Sequence, residues 1–319
     1  MPELAVADSH AACVPQGCTR VSSQLIEPLL GTAPHAAAWL LLVHPGPWSA
    51  EAPSALLNPV VAGELSRRCT EHHIRTVAVR RAGPQIPTQQ LADARPRPES
   101  GSCYVASSQP GRTWIRRVPL TAHRDLLDLD LRAIANGNAP GVGEPVAGPL
   151  YAVCTHGKRD ACCAAHGRPV HRALSRLAPG RVWESTHLGG HRFAANVLVL
   201  PEGMLYGRVN HDNVASLVET HKRGQIVPAL WRGCSAMPEP AQAAEWFARR
   251  ATGLTGIDGV AIDQIHQTNG AGHGWTVRLR ADGRPMTVTV ERVATGRPRI
   301  TGCTGDVADP GRWRLVALA

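Results

Sequence analysis

Along this chain one order of elements occurs twice, and that recurrence limits the fold more than any composition figure. In the first round, residues 38–43 form a short apolar run closed by the turn His44-Pro-Gly-Pro-Trp48, which reads as a buried strand. Residues 54–70 follow with helical periodicity through Leu56, Leu57, Val60, Val61 and Leu65; Ser54 is an N-cap candidate, and Pro59 moves the start later. Three β-rich pieces (74–80, 102–107 and 112–118) and a helical stretch (123–135) complete the round, with 85–100 a loop carrying Pro and Gln. In the second round, 150–153 is a strand ending at Cys154, 164–178 a helix with Val170, Leu174 and Leu177 on one side, and 181–185 a strand. Residues 196–200 and 205–209 are joined by Pro-Glu-Gly-Met as a hairpin, and 214–222 is a helix stopped by Gly224.

Both rounds spell β-α-β-β-β-α, which builds a twisted sheet of about four strands with helices packed on it. The expected fold class is α/β (α+β): two tandem thioredoxin-like halves followed by a small C-terminal α+β appendage. The expected boundaries are an extended N-terminal arm over 1–31, a degenerate thioredoxin-like domain over 32–138, a second thioredoxin-like domain that carries the chemistry over 146–226 and the appendage over 227–319. Residues 136–145, rich in Gly, Asn and Pro, are the linker between the halves. The appendage opens on a helix over 238–252; strands at 275–280, 286–293 and 299–303 are joined by Ala-Asp-Gly-Arg and Ala-Thr-Gly-Arg turns, and 313–318 adds a last strand.

With 319 residues and 43% hydrophobic content the chain builds real cores, yet only Phe193 and Phe247 are phenylalanines, so Val, Leu, Ala and eight tryptophans must fill them. No apolar run approaches the roughly 20 residues of a membrane span, and the start MPELAVADSH lacks a basic segment followed by an apolar one. The expectation is a cytoplasmic protein with no signal peptide and no membrane partner. A net charge of +9 suggests nucleic acid, but only Lys158 and Lys222 are lysines, and the arginines are spread as pairs such as Arg67-Arg68 and Arg116-Arg117. That spread argues against a nucleic-acid partner. A basic surface that docks an acidic redox protein, itself unidentified, suits the charge better.

Nine cysteines are an odd number and do not form a disulfide framework in a chain of this class. Cys69, on a helix, reads as a small buried residue. Cys13 and Cys18 lie in a polar leader at a loose spacing and receive no role, and Asp125, Asp128 and Asp130 read as a solvated helix face. The chemistry gathers in two segments, Cys154-Thr-His-Gly-Lys-Arg-Asp-Ala-Cys162-Cys163 and Thr186-His187-Leu-Gly-Gly-His191. Together they present two thiolates and two imidazoles, a complete set for a transition metal. Their loops follow the first and second strands of the second half, which are neighbours in such a sheet, so both emerge at one edge. One loop then supplies two Cys to one iron and the other two His to a second iron. Arg159 and the N-terminus of the following helix favour thiolates, and Gly189 and Gly190 permit positive φ and close approach of backbone N–H groups.

Cys162 and Cys163 do not both ligate, so one is a neighbour. His156 and His166 read as capping or surface residues. Zn²⁺ also accepts a Cys₂His₂ set, but eight residues separate Cys154 from Cys163, more than the two to four of zinc fingers, and this span favours a larger [2Fe–2S] cluster. The alternatives are a zinc-stabilised interaction protein and a thiol oxidoreductase using Cys162 or Cys163; the latter lacks a Cys-x-x-Cys motif. In the first half, His44-Pro-Gly-Pro-Trp48 stands where the Cys154 loop stands in the second and offers no thiolate. That half is expected to be structural or a docking surface.

Four stretches add a resemblance to a known family: Ala36-Ala-Ala-Trp-Leu-Leu-Leu with Pro45-Gly-Pro-Trp48, Cys154-Thr-His-Gly-Lys-Arg-Asp, Cys162-Cys163-Ala-Ala-His-Gly-Arg-Pro169, and Trp183-Glu-Ser-Thr-His-Leu-Gly-Gly-His-Arg-Phe-Ala-Ala-Asn196. Through them nearly the whole chain resembles the sucrase/ferredoxin-like family, whose members contain a thioredoxin-like ferredoxin domain. The resemblance implies a [2Fe–2S] cluster with two Cys and two His ligands, carried over here onto Cys154, Cys163, His187 and His191. It selects Cys163 over Cys162 because Cys163 keeps the family's Cys-x-x-x-Gly step, here to Gly167. It implies an electron carrier more than an enzyme. Sucrase activity has no support, since no pair of carboxylates has surroundings suited to glycosidase work.

Overall fold

The computed structural model describes residues 17–81, 101–268 and 274–319; Cys13 and the 85–100 loop lie outside them. Within the expected N-terminal arm, Cys18–Gln24 form a short helix, α1. The first half then runs through β1 (Ala38–Val43), α2 (Pro59–Glu71), β2 (Ile74–Arg80), β3 (Ser102–Ser107) and β4 (Trp114–Pro119). Helix α2 starts at Pro59, a residue whose fixed φ and missing N–H suit the first helical position, and Asn58 caps it by accepting from Val60 N–H at 3.0 Å. Residues 54–56 ahead of it make only a 3₁₀ turn. The single helix expected over 123–135 divides into a 3₁₀ stretch, His123–Asp128, and helix α3 (Leu131–Ala135). The Asp130 carboxylate causes the break: it accepts from Ala133 N–H at 2.9 Å and starts a new helix.

The linker contributes a two-residue strand, β5 (Glu144–Pro145), paired with β4. The second half is β6 (Leu150–Cys154), α4 (Ala161–Leu177), β7 (Val182–Ser185), β8 (Val197–Leu200), β9 (Met204–Tyr206) and α5 (Val214–Lys222). A further strand, β10 (Trp231–Cys234), pairs with β9. The ten strands form one sheet in the order β10-β9-β8-β6-β7-β2-β1-β3-β4-β5. Each half therefore shows the same spatial order of its own strands (second, first, third, fourth), with the first two parallel and the rest antiparallel. This is the arrangement of a thioredoxin-like unit, present twice. The halves meet where β2 and β7 pair antiparallel, Val79 opposite Ser185 and Arg80 opposite Glu184.

Strand alternation sorts the core. In β6, Tyr151 and Val153 pack under α4 and α5 with Val170, Leu174 and Leu217, while Ala152 and Cys154 turn to the other face. In β1, Leu40 and Leu42 face Leu65 of α2, while Trp39 and Leu41 join the same opposite face as Ala152 and Cys154. The two halves thus share one buried layer, and Cys154 and Cys163 lie in it.

The appendage is helix α6 (Glu239–Thr252) packed on strands β11 (Val260–Gln267), β12 (Gly274–Ala281) and β13 (Arg284–Val293), with a small ribbon of β14 (Arg299–Ile300) and β15 (Val307–Ala308), and β16 (Arg312–Leu318) closing the sheet beside β13. Among the described residues no helix is long and apolar enough to cross a membrane.

Candidate metal centre

Cys154 ends β6, the central strand of the second half. Its N–H donates to Asn196 O at 3.1 Å, and in the parallel register it stands beside Ser185, the last residue of β7. The chain then turns through residues 155–160, and the Asp160 carboxylate caps α4 by accepting from Cys162 N–H at 2.9 Å. Cys163, in the first turn of α4, is directed back toward Cys154. The close approach of helix to strand depends on Gly167: a Cβ there would lie 2.0 Å from the Cys154 carbonyl oxygen. The Cys-x-x-x-Gly step thereby acquires a steric reason.

Thr186 fixes the second loop. Its N–H donates to Ala78 O at 2.9 Å, and its hydroxyl accepts from Ala78 N–H at 2.9 Å, so the residue before His187 is fastened to β2 of the first half. Beyond His187, Gly189 and Gly190 adopt φ of +87° and +69°, a region that disfavours other residues. Arg232, 1% exposed, organises this turn from below. It donates to Gly189 O at 2.9 Å, to Asn196 Oδ1 at 2.8 Å and to the Thr32 hydroxyl at 3.1 Å, while Asn196 donates to Gly190 O at 2.9 Å. A Cβ on Gly190 would meet the Arg232 guanidinium at 2.4 Å, so glycine is required there by space as well as by φ.

Four residues were expected to ligate, and the structure brings three of them together. Donor atoms of Cys154, Cys163 and His187 lie within 4.8 Å of one another. His191 stands one step outward, its ring centroid 5.2 Å from that of His187 and its Nε2 3.8 Å from Asp160 Oδ2. Cys162, the neighbour of Cys163, points away from this group and joins Cys18, Asp160 and Cys303 instead. His166 is exposed on α4, in keeping with a surface role, whereas His156 is buried at 2% exposure and is held by the first half, its Nε2–H donating to Ser49 O at 2.7 Å, so it is neither a surface nor a helix-capping residue.

The electrostatics favour a metal-binding thiolate. The Cys163 S–H donates to Cys154, which holds the Cys154 thiol well below its ordinary range against the opposing effect of burial, with His187 assisting. The Cys163 thiol is pushed up by making that bond and by burial. Burial pushes His191 down, toward the neutral imidazole a metal requires. At this site His187 Nδ1 and His191 Nδ1 are buried without hydrogen-bond partners among the described residues. Two soft cysteine sulfurs and two imidazoles, each imidazole with an unspent ring nitrogen, are a donor set that fits a [2Fe–2S] group.

Sequence reasoning missed Arg232, Asp160 and the Cys18–Cys303 contact. The spacing Asp160-Ala-Cys162 is a helix-cap signature that could have marked Asp160. Nothing local marks a buried arginine whose acceptors lie 36, 43 and 200 residues away in the chain.

Comparison with known proteins matches the sucrase/ferredoxin-like family model to residues 29–233. "Altered inheritance of mitochondria protein 32" of Meyerozyma guilliermondii is 34% identical over 95 residues, 26% of this chain and 34% of that protein. The protein of the same name from Candida glabrata is 29% identical over 96 residues, 25% of this chain and 31% of that one. The chain thus spans about a third of the length of these curated relatives. Crystal structures of two cysteine-to-serine variants of the thioredoxin-like [2Fe–2S] ferredoxin from Aquifex aeolicus are 22% identical; each match covers 26% of this chain and 97% of theirs at a TM-score of 0.24. With residues 29–233 matched out of 319, this chain belongs to the sucrase/ferredoxin-like family.

Proposed function

We propose that the protein is a [2Fe–2S] electron carrier, with Cys154 and Cys163 on one iron and His187 and His191 on the other. The convergence of Cys154, Cys163 and His187 within 4.8 Å supports the reading most strongly. When bound, such a cluster supplies one-electron uptake and release. The chain's residues do the rest. Gly167 and the β6–α4 packing hold the thiolates, Thr186 and Arg232 hold the histidine loop, and the Asp160 carboxylate faces the outer nitrogen of His191, an arrangement that orients ligating histidines.

The first half has a definite part in this reading. It has no thiolate in its own loop, but β2 anchors the residue before His187, and Trp48 meets His156 edge-on at 6.0 Å. Lys158 and Arg159 are exposed on the loop between Cys154 and α4, so an unidentified acidic redox protein is the proposed partner. Isolated buried thiols at Cys69, Cys103 and Cys234 fit a reducing compartment, the cytoplasm in this reading.

Metal analysis of protein purified without oxygen tests the proposal. The expected result is a red-brown protein with about two irons and two sulfides per chain. A colourless protein with zinc in place of iron at these residues would favour the zinc reading, and a colourless metal-free one the thiol oxidoreductase.

A further inference from the structure

Beside the first group lies a second set of metal-binding side chains, none of which the proposed cluster takes as a ligand. Cys18 at the start of α1, Cys162 in the first turn of α4 and Cys303 in the turn between β14 and β15 converge with Asp160, all four donor atoms within 4.8 Å of one another and all four residues buried. The sulfurs of Cys18 and Cys162 are 3.7 Å apart, as are those of Cys18 and Cys303. Those of Cys162 and Cys303 are 3.0 Å apart, and Asp160 Oδ2 lies 3.9 Å from the Cys18 sulfur. The three cysteines are 141 to 285 positions apart in the chain, so no local turn brings them together.

The spacing identifies the kind of occupant. Two thiolates about 2.3 Å from a tetrahedral ion stand about 3.7 Å from each other, the separation of two of the three sulfur pairs here. Sulfurs this close converge on one ion, not on separate metals of a cluster. Three thiolates and one carboxylate oxygen make four donors, the number tetrahedral zinc takes, and thiolate-rich sets select Zn²⁺ over the oxygen-preferring cations. Asp160 is preset for the task. Its Oδ1 accepts from Cys162 N–H at 2.9 Å and its Oδ2 from Cys303 N–H at 3.0 Å, so the carboxylate is oriented by the backbones of two of the thiol residues. Among the described residues its one ion-pair contact is with His191. A buried carboxylate among three sulfurs is a costly arrangement that a divalent cation relieves.

We infer that Cys18, Cys162, Cys303 and Asp160 form a structural Zn²⁺ site, separate from the cluster residues and joining the N-terminal helix, the ferredoxin half and the C-terminal appendage. The site explains why Cys162 directly precedes Cys163: adjacent cysteines in one helical turn serve two different centres. It also gives the turn between β14 and β15 a fixed attachment to α4.

The test is metal analysis of the full chain grown with zinc, together with zinc-edge X-ray absorption of the unaltered protein. The expected result is about one zinc per chain, with three sulfurs near 2.3 Å and one oxygen around it. Cys18→Ser and Cys303→Ser should each lower zinc by about fivefold or more while keeping iron and visible absorption. Cys154→Ser should lose iron and keep zinc, so failure of the cluster reading and failure of this one give different patterns. Absence of zinc from the unaltered protein would overturn the site, as would zinc retained in both variants or a Cys162–Cys303 disulfide in anaerobically prepared protein. If the variants do not fold, the absorption spectrum decides: fewer than three sulfurs around zinc would contradict the assignment.

Discussion

Cys154→Ser and Cys163→Ser should each remove nearly all of the visible absorption and lower bound iron by about tenfold or more, because a serine hydroxyl is a hard, weakly acidic donor where a thiolate is needed. Cys162→Ser should keep most of that absorption. The distinction rests on direction: Cys163 faces Cys154 and His187, while the adjacent Cys162 faces Cys18 and Cys303. Both thiols are buried, and chain position alone does not separate them. Iron content and the visible spectrum of the three variants, measured side by side, check the assignment. Bleaching by Cys162→Ser with colour retained in Cys163→Ser would reverse it.

Gly167→Ala should be severely damaging although it adds a single methyl group. The new Cβ would lie 2.0 Å from the Cys154 carbonyl oxygen, a backbone atom fixed in the centre of the sheet, so relief requires α4 to move away from β6. Overpacking of this kind costs about 3 kcal/mol or more, and the displacement separates Cys163 from Cys154. Loss of the cluster spectrum together with a lower thermal midpoint is expected. Gly63→Ala in α2 is the matched control, because nothing lies within 4 Å of its added Cβ. There, helix propensity favours alanine by about 1 kcal/mol, so stability should hold or rise. Equal effects at the two positions would remove the steric argument.

Much of the fold was legible because it is written in local periodicity. The apolar runs that became β1 and β6, the stripe of α4 and the hairpin between β8 and β9 each announce themselves within ten to twenty residues. The elements that escaped lack such a signal. Helix α1 is seven residues with no apolar repeat. Strand β10 contains Gly233 and a shift of register against β9. Strand β11 is exposed over most of its length and carries Asp263, Gln264 and His266, so no alternation marks it. The site divides in the same way. Cys154 and His187 were legible because each sits beside a strand end, and neighbouring strand ends bring such residues together; Cys163, in the first turn of α4, was told from Cys162 only by the family resemblance. The Cys18–Cys162–Cys303 group was not, because its members are joined only by tertiary packing of three separate parts of the chain.

Histidine ligation is tested most directly by the reduction potential as a function of pH. Two neutral imidazoles in place of two thiolates remove negative charge around one iron and favour the reduced state. The potential should therefore lie above the roughly −400 mV of plant-type ferredoxins, toward the Rieske range that begins near −150 mV. Each ligating imidazole keeps a second ring nitrogen whose N–H is more acidic when the centre is oxidised and more positive. Between the oxidised-state and reduced-state pKa values, electron uptake brings proton uptake, and the potential should fall with rising pH by up to about 59 mV per unit for each coupled proton. His191→Cys should lower the potential and flatten that slope. A potential well above −400 mV that falls with pH between about 6 and 10 is the predicted result, and one near −400 mV that stays flat across the same range would contradict histidine ligation.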